Sequence, residues 1–217
     1  MKIIKKAFEW ARPLTPLNLS SVSGIALHHM AHATAGMDLI HQWHLARGWK
    51  GFAYNYWIDF EGNVYECRGL NSGGGLFDPL NDTVLSVGFQ GDYNTSKVMP
   101  KDQYDAGVDL IRHLKQQIPS IDVVHGHKHW QDNTSCPGKF FPLSEMITDS
   151  NKVDYDDLPI KDFEQVASWA KEPVKKVVRA GIMIGDSHGY FKPTELITRQ
   201  EVAVVIDRLL NFTKAKT

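Results

Sequence analysis

Two short apolar runs, Ile25-Ala26-Leu27 and Val123-Val124, each lead straight into histidines: His28-His29 after the first, His125-Gly126-His127 after the second. No other feature constrains this chain as much. Brief apolar runs of this kind read as short buried strands. Strands of α/β sheets carry their sites at their ends and in the adjoining loops. A thiol follows the second run, Cys136 within Thr134-Ser135-Cys136-Pro137-Gly138. Two imidazoles and a thiolate suit tetrahedral zinc, and three protein ligands leave a fourth position open to water, the catalytic form of such a site.

Geometry narrows the choice of histidine. Neighbouring strand residues point to opposite faces, so only one of His28 and His29 can face the site. His125, His127 and His129 alternate and share one side if the chain there is extended. His41 and His44 stand three apart on a helix, but a third ligand is missing, and surface or structural roles are expected for them.

The remaining pattern predicts an α/β fold, a mixed central sheet flanked by helices, with a small C-terminal helical domain. A helix is expected over Met37 to Arg47 with Leu39, Ile40, Trp43 and Ala46 on one face, stopped by Gly48. Tyr54 to Phe60 and Asn63 to Glu66 predict a hairpin around Glu61-Gly62. Asn71 to Gly75 reads as a flexible glycine-rich loop, and Val84 to Phe89 as another strand. Pro100 opens a long helix to Ile118, with Tyr104, Val108, Ile111, Leu114 and Ile118 along one face.

The 217 residues suffice for one medium domain plus a small one. A net charge of −1 gives no basic footprint for nucleic acid. No apolar run approaches the length that spans a bilayer. Lys2, Lys5 and Lys6 precede Phe8-Glu9-Trp10-Ala11-Arg12-Pro13, which interrupts any signal-peptide core. The second cysteine, Cys67, is left as an odd thiol and reads as small and half-buried. The boundaries predicted are a larger domain over 1–148, an acidic linker over 149–160 closed by Pro159, and a small domain over 161–217. In the last, one helix is expected over Ala167 to Arg179. A second should follow Thr198-Arg199-Gln200-Glu201, a capping box, with Val202, Val205, Ile206 and Leu209 at helical spacing.

Several motifs in order over residues 20–142 carry a resemblance. Ile25 to Ala31 with His28-His29, His44 with Gly48-Trp49, and Tyr54-Asn55-Tyr56-Trp57-Ile58-Asp59 form its first part. Glu61-Gly62-Asn63-Val64-Tyr65-Glu66 with Arg68-Gly69 continues it. Asn81, the run Val84 to Phe89 with Gln90-Gly91-Asp92-Tyr93, Gly126-His127 and Thr134 to Gly138 complete it. Together they resemble zinc-dependent N-acetylmuramoyl-L-alanine amidases, a family of phage endolysins, bacterial autolysins and animal peptidoglycan recognition proteins. The resemblance implies one zinc ion per chain, held by His28, His127 and Cys136. The spacing from His127 to Cys136 is one residue longer than usual, which keeps His129 open as the second imidazole. It implies that Tyr54 donates to the developing oxyanion and that Thr134 occupies a place where the family has Lys or Thr. Arg68, Asn81 and the glycine-rich loop would line the substrate groove. The strand Val84 to Phe89 has no carboxylate where some amidases carry a glutamate base, so the proton shuttle is not identified.

The implied activity is hydrolysis of the amide between N-acetylmuramic acid and L-alanine in bacterial peptidoglycan. The implied setting is an endolysin made in the cytoplasm and released to the wall through a membrane lesion; a host autolysin is the other form. The rival is a non-enzymatic peptidoglycan-binding module that lacks the metal. In the tail, Phe163…Trp169-Ala170, Ala180 to Asp186, Gly189 to Pro193 and Ile197 to Glu201 resemble one S-layer homology repeat. That implies binding of a secondary cell-wall polysaccharide through Trp169 and Arg199. Such repeats usually occur in threes, so a single one implies either a homo-oligomer or weak binding.

Overall fold

A computed structural model of the chain describes residues 1–151 and 158–214. It divides into two compact units, Met1–Lys152 and Val153–Thr217. In the first unit the strands are β1 (Ile3–Lys5), β2 (Gly24–His29), β3 (Tyr56–Ile58), β4 (Val64–Glu66), β5 (Val84–Phe89) and β6 (Val123–Gly126). They form one mixed sheet in the order β1-β4-β3-β5-β2-β6. Every neighbouring pair is parallel except β3 and β4, the expected hairpin. Every residue of β2 and β5 is buried. A parallel strand covered on both faces reads as a continuous run rather than an alternating one.

Three helices complete the unit: α1 (Met37–Ala46), α2 (Lys101–Gln117) and α3 (Leu143–Asn151). On one side of the sheet Ile25, Leu27, Leu85, Val87 and Phe89 pack with Val108, Ile111 and Leu114 of α2 and Met146 of α3. A second, aromatic cluster holds Ile40 of α1, Phe52, Tyr54 and Trp57. The two clusters give the alternation of β2 its meaning. Ile25 and Leu27 enter the first, and His28 is turned to the other face, beside Tyr54.

Four features differ from expectation. The N-terminal Ile3–Lys5 is a strand, paired in parallel with β4. The buried face of α1 is Ile40, His41 and His44, whereas Leu39 is 42% exposed. The reason is hydrogen bonding: Nδ1 of His41 accepts from the Phe52 N–H (3.0 Å) and Nδ1 of His44 from the Ala53 N–H (3.1 Å). These imidazoles satisfy backbone donors of the segment entering β3. Third, α3 continues through Asp149–Asn151, the start of the expected linker; residues 152–157 of that linker lie outside the described residues. Fourth, the single helix expected over Ala167 to Arg179 is a short 3₁₀ turn, Ser168–Ala170, followed by α4 (Lys171–Arg179).

The second unit has its own small core of Leu158, Ile160, Phe163, Val166 and Val178. Its last helix, α5 (Arg199–Lys214), begins with the capping box: the Glu201 N–H donates to Thr198 Oγ1 (3.2 Å) and the Thr198 N–H to Glu201 Oε2 (2.7 Å). The expected apolar stripe of α5 is largely uncovered. Val202, Ile206 and Leu209 are exposed, and Leu210 is 53% exposed. Among the described residues no helix is long and apolar enough to cross a membrane.

Candidate active site

The site forms where β2 and β6 end. His28 is the next-to-last residue of β2, and His127 opens a 3₁₀ turn directly after β6. Cys136 sits on the loop beyond, tied to that turn by a bond from the Lys128 N–H to its carbonyl (3.0 Å). The ligand atoms of His28, His127 and Cys136 all lie within 4.8 Å of one another. His28 Nδ1 stands 3.7 Å from Cys136 Sγ, and the two imidazole rings are 4.5 Å apart. His29 is turned away, its Nδ1 accepting from the Tyr93 N–H at 2.9 Å. His129 is exposed and stacks on His125 with ring centroids 4.4 Å apart.

This donor set fits zinc. Zinc–sulfur and zinc–nitrogen bonds of about 2.3 and 2.0–2.1 Å at a tetrahedral angle put the two ligand atoms about 3.6 Å apart. Burial, with His127 and His29 close by, holds His28 well below the ordinary histidine pKa, in the neutral form that ligates metal. Burial lowers His127 as well. Its Nε2 meets Gln131 Oε1 at 2.8 Å; an amide oxygen only accepts, so Nε2 carries the proton and Nδ1 is left for a metal. Burial alone pushes the Cys136 thiol up to about 12, so a neighbouring cation is what favours its thiolate.

Around the trio lies a cavity of about 250 Å³ lined also by His44, Arg47, Trp49, Tyr54, Gly75 and Thr134. Among the described residues no carboxylate belongs to that lining. The Tyr54 ring lies 5.2 Å from that of His28. Its place depends on Gly88, where a Cβ would come within 2.7 Å of both the Tyr54 and Trp57 rings. Burial and the Cys136 sulfur raise the Tyr54 pKa further, so the phenol keeps its proton. Thr134 Oγ1 accepts from the Cys136 N–H (3.1 Å), which leaves the hydroxyl hydrogen free to donate.

Two residues expected in the groove serve the scaffold instead. Arg68 is 4% exposed and donates to the carbonyls of Phe52 (2.7 Å), Ser72 (2.9 Å) and Gly73 (2.6 Å). Asn81 is buried, accepts from the Leu76 N–H and donates to the Leu76 carbonyl and to Asp78. Both grip the glycine-rich loop, which is therefore pinned rather than free. In the second unit, Trp169 is 84% exposed and Arg199 is exposed at the first turn of α5. Gln131, Arg47 and Gly88 join the site without a role expected of them, whereas Gly75 belongs to the glycine-rich loop expected in the groove. A glutamine four residues after His127, and a glycine inside a strand, are the only signals Gln131 and Gly88 carry.

The family model for N-acetylmuramoyl-L-alanine amidase matches residues 18–139, and that for the S-layer homology domain matches residues 159–203. Peptidoglycan-recognition protein SC2 of Drosophila melanogaster is 34% identical over 93 residues, 42% of this chain and 50% of that protein. The chain thus spans about half the length of the curated relatives it matches first. The Surface-layer 125 kDa protein of Lysinibacillus sphaericus is 37% identical over 53 residues, 24% of this chain and 4% of that protein. Among solved structures, the endolysin N-acetylmuramoyl-L-alanine amidase LysCS from Clostridium intestinale URNW has a TM-score of 0.63 at 25% identity, covering 70% of this chain and 97% of that one.

Proposed function

We propose a catalytic reading from one premise: this chain belongs to the N-acetylmuramoyl-L-alanine amidase family. The reading is a zinc-dependent peptidoglycan hydrolase that cleaves the amide between the lactyl group of N-acetylmuramic acid and L-alanine. The observation that carries it is the convergence of His28, His127 and Cys136 beside Tyr54. When bound by these three residues, zinc supplies Lewis-acid polarisation of a carbonyl and activation of water.

The chain's own groups then divide the work. His28 and His127 present neutral imidazoles, and Gln131 fixes the proton of the second on Nε2. Tyr54, a buried phenol that keeps its proton, donates to the oxygen on which negative charge grows. Thr134 adds a neutral donor, weaker than the lysine some relatives carry. Water adds to the carbonyl carbon, the C–N bond breaks, and the products are a lactyl carboxylate and the free amine of L-alanine. Mass spectrometry of muropeptides after digestion tests this: intact stem peptides freed with an L-alanine N-terminus are expected, and cleavage elsewhere would refute it.

Recognition proteins among the relatives favour a second reading, peptidoglycan binding without hydrolysis. The complete imidazole–imidazole–thiol set supports the hydrolase. Elemental analysis separates the two, because a pure binding module needs no zinc.

The S-layer homology domain supports a tethering role, with Arg199 at a capped helix start suited to an anionic wall sugar. Val202, Ile206 and Leu209, exposed along α5, support association of the repeat with other copies of itself. Light scattering should then show a mass above one chain. An endolysin is the biological setting this combination fits best.

A further inference from the structure

His28 Nε2 and Ser86 Oγ are both buried, and among the described residues neither has a hydrogen-bond partner. Both atoms lie against the backbone of Gly75. Ser86 on β5 is in register with Ala26 on β2, two residues before His28. Residues two apart on a strand share a face, so Ser86 and His28 are diagonal neighbours on the side of the sheet that holds the site. The backbone at Gly75 closes the gap between them. A Cβ there would lie 2.7 Å from Ser86 Oγ and 3.2 Å from His28 Nε2. The loop that brings Gly75 there is the one held by Arg68 through the Ser72 and Gly73 carbonyls.

The two histidines of the site are thus unequally supported. His127 has Gln131 to accept its Nε2 proton. His28 presents Nδ1 to Cys136 and so must carry its proton on Nε2 if Nδ1 is to ligate. A buried N–H without an acceptor costs about 1–3 kcal/mol. The other tautomer leaves Nε2 a buried acceptor without a donor and puts a proton where the metal should be.

We propose that Ser86 is the positioning residue for His28, its hydroxyl accepting the Nε2–H and so holding Nδ1 proton-free toward Cys136. The bond forms by rotation of the serine side chain toward Nε2. Asn55, whose Oδ1 accepts from the Ser86 N–H (2.8 Å), fixes the serine backbone for this role. The inference rests on the zinc reading above, but it concerns a tautomer that exists in the metal-free protein too.

The test compares wild type, Ser86→Ala and Ser86→Thr. Zinc affinity is read by competition with a chromophoric chelator, and the His28 tautomer by imidazole nitrogen NMR of zinc-free protein. Ser86→Ala is expected to keep its melting temperature within a few degrees, weaken zinc binding roughly 10–100-fold and shift His28 toward the Nδ1–H form. Ser86→Thr, which keeps the hydroxyl, should restore both readouts. Should Ser86→Ala fail to fold, Ser86→Cys, near-isosteric with a poor acceptor, should give the same losses. Wild-type zinc affinity together with an unchanged His28 tautomer in the alanine or cysteine variant would overturn the proposal and leave the metal reading intact. Absence of zinc binding by wild type would overturn the metal reading, and the tautomer measurement would still decide the Ser86–His28 pair.

Discussion

His28 Nδ1 approaches Cys136 Sγ to 3.7 Å across 108 residues of chain. Nothing local enforces that approach. It exists because β2 lies between β5 and β6, so the loop after β6 returns over the end of β2. An uncompensated meeting of a neutral imidazole and a buried thiol gains little, whereas the same pair around a cation gains two ligand bonds.

Removing any one ligand should therefore remove the metal. His28→Ala, His127→Ala and Cys136→Ser should each lose most bound zinc and all detectable hydrolysis, against about one zinc per chain in wild type. His129→Ala should keep both, because its ring is engaged with His125. Elemental analysis beside a hydrolysis assay reads this; full activity in metal-free wild type would sink the mechanism.

Tyr54→Phe separates metal binding from rate. The substitution keeps the ring that packs against Trp57 and His28 and removes only the phenolic donor. Zinc content should stay near wild type while turnover falls roughly a hundredfold or more. An unchanged rate would make Tyr54 a packing residue alone.

Arg68→Ala should act on stability rather than on substrate affinity. The guanidinium binds three carbonyls in a buried setting, and its removal leaves them unsatisfied. A loss of about 2–4 kcal/mol is expected. Chemical denaturation supplies the measurement. Unchanged stability with a raised KM would return Arg68 to the groove.

Acid should destabilise the fold in a definite window. Burial, aided by Arg47, Arg68 and His41, lowers the His44 pKa from 6.5 to about 4. Between those values the unfolded chain takes up a proton that the folded one refuses. The contribution of His44 is therefore complete above pH 6.5 and disappears as pH falls toward 4, by about 3 kcal/mol in all. His28 and His127 shift in the same direction and add to the slope. Urea midpoints of zinc-free protein at pH 7, 5.5 and 4.5 should fall steadily in wild type and less in His44→Gln. Parallel curves would show that His44 titrates normally.

What the sequence disclosed follows from how each signal is encoded. Val84–Phe89 is legible as a strand because both its faces are buried, and α2 because Pro100 marks its start. β1 is not, since three residues gain strand character only from pairing with β4, far along the chain. The face of α1 misleads because His41 and His44 are buried through hydrogen bonds that hydrophobic periodicity does not register. His28, His127 and Cys136 stand out as rare residue types at strand ends and on the loop beyond. Ser86 and Gln131 do not, because a small or neutral polar residue acquires meaning only from the ring nitrogen it faces. Arg68 and Asn81 carry the chemistry of a binding groove but are directed inward by the loop they hold.

The tail permits a test of tethering that leaves the chemistry untouched. The first compact unit ends at Lys152 and holds His28, His127, Cys136, Tyr54 and the whole sheet. The second unit has a separate core and none of those groups. A protein ending at residue 152 should therefore fold and cleave a small soluble muropeptide at close to the full-length rate. Its action on intact walls should fall, because a tether raises the local concentration of enzyme at an insoluble substrate. Arg199→Ala should reproduce part of that fall, since it removes the exposed cation at the start of α5 while the capping box of Thr198 and Glu201 remains. Wall pull-down beside the soluble assay decides the matter. Equal wall binding by the shortened protein would refute the tether, and loss of soluble activity would mean that the second unit is needed to build the first.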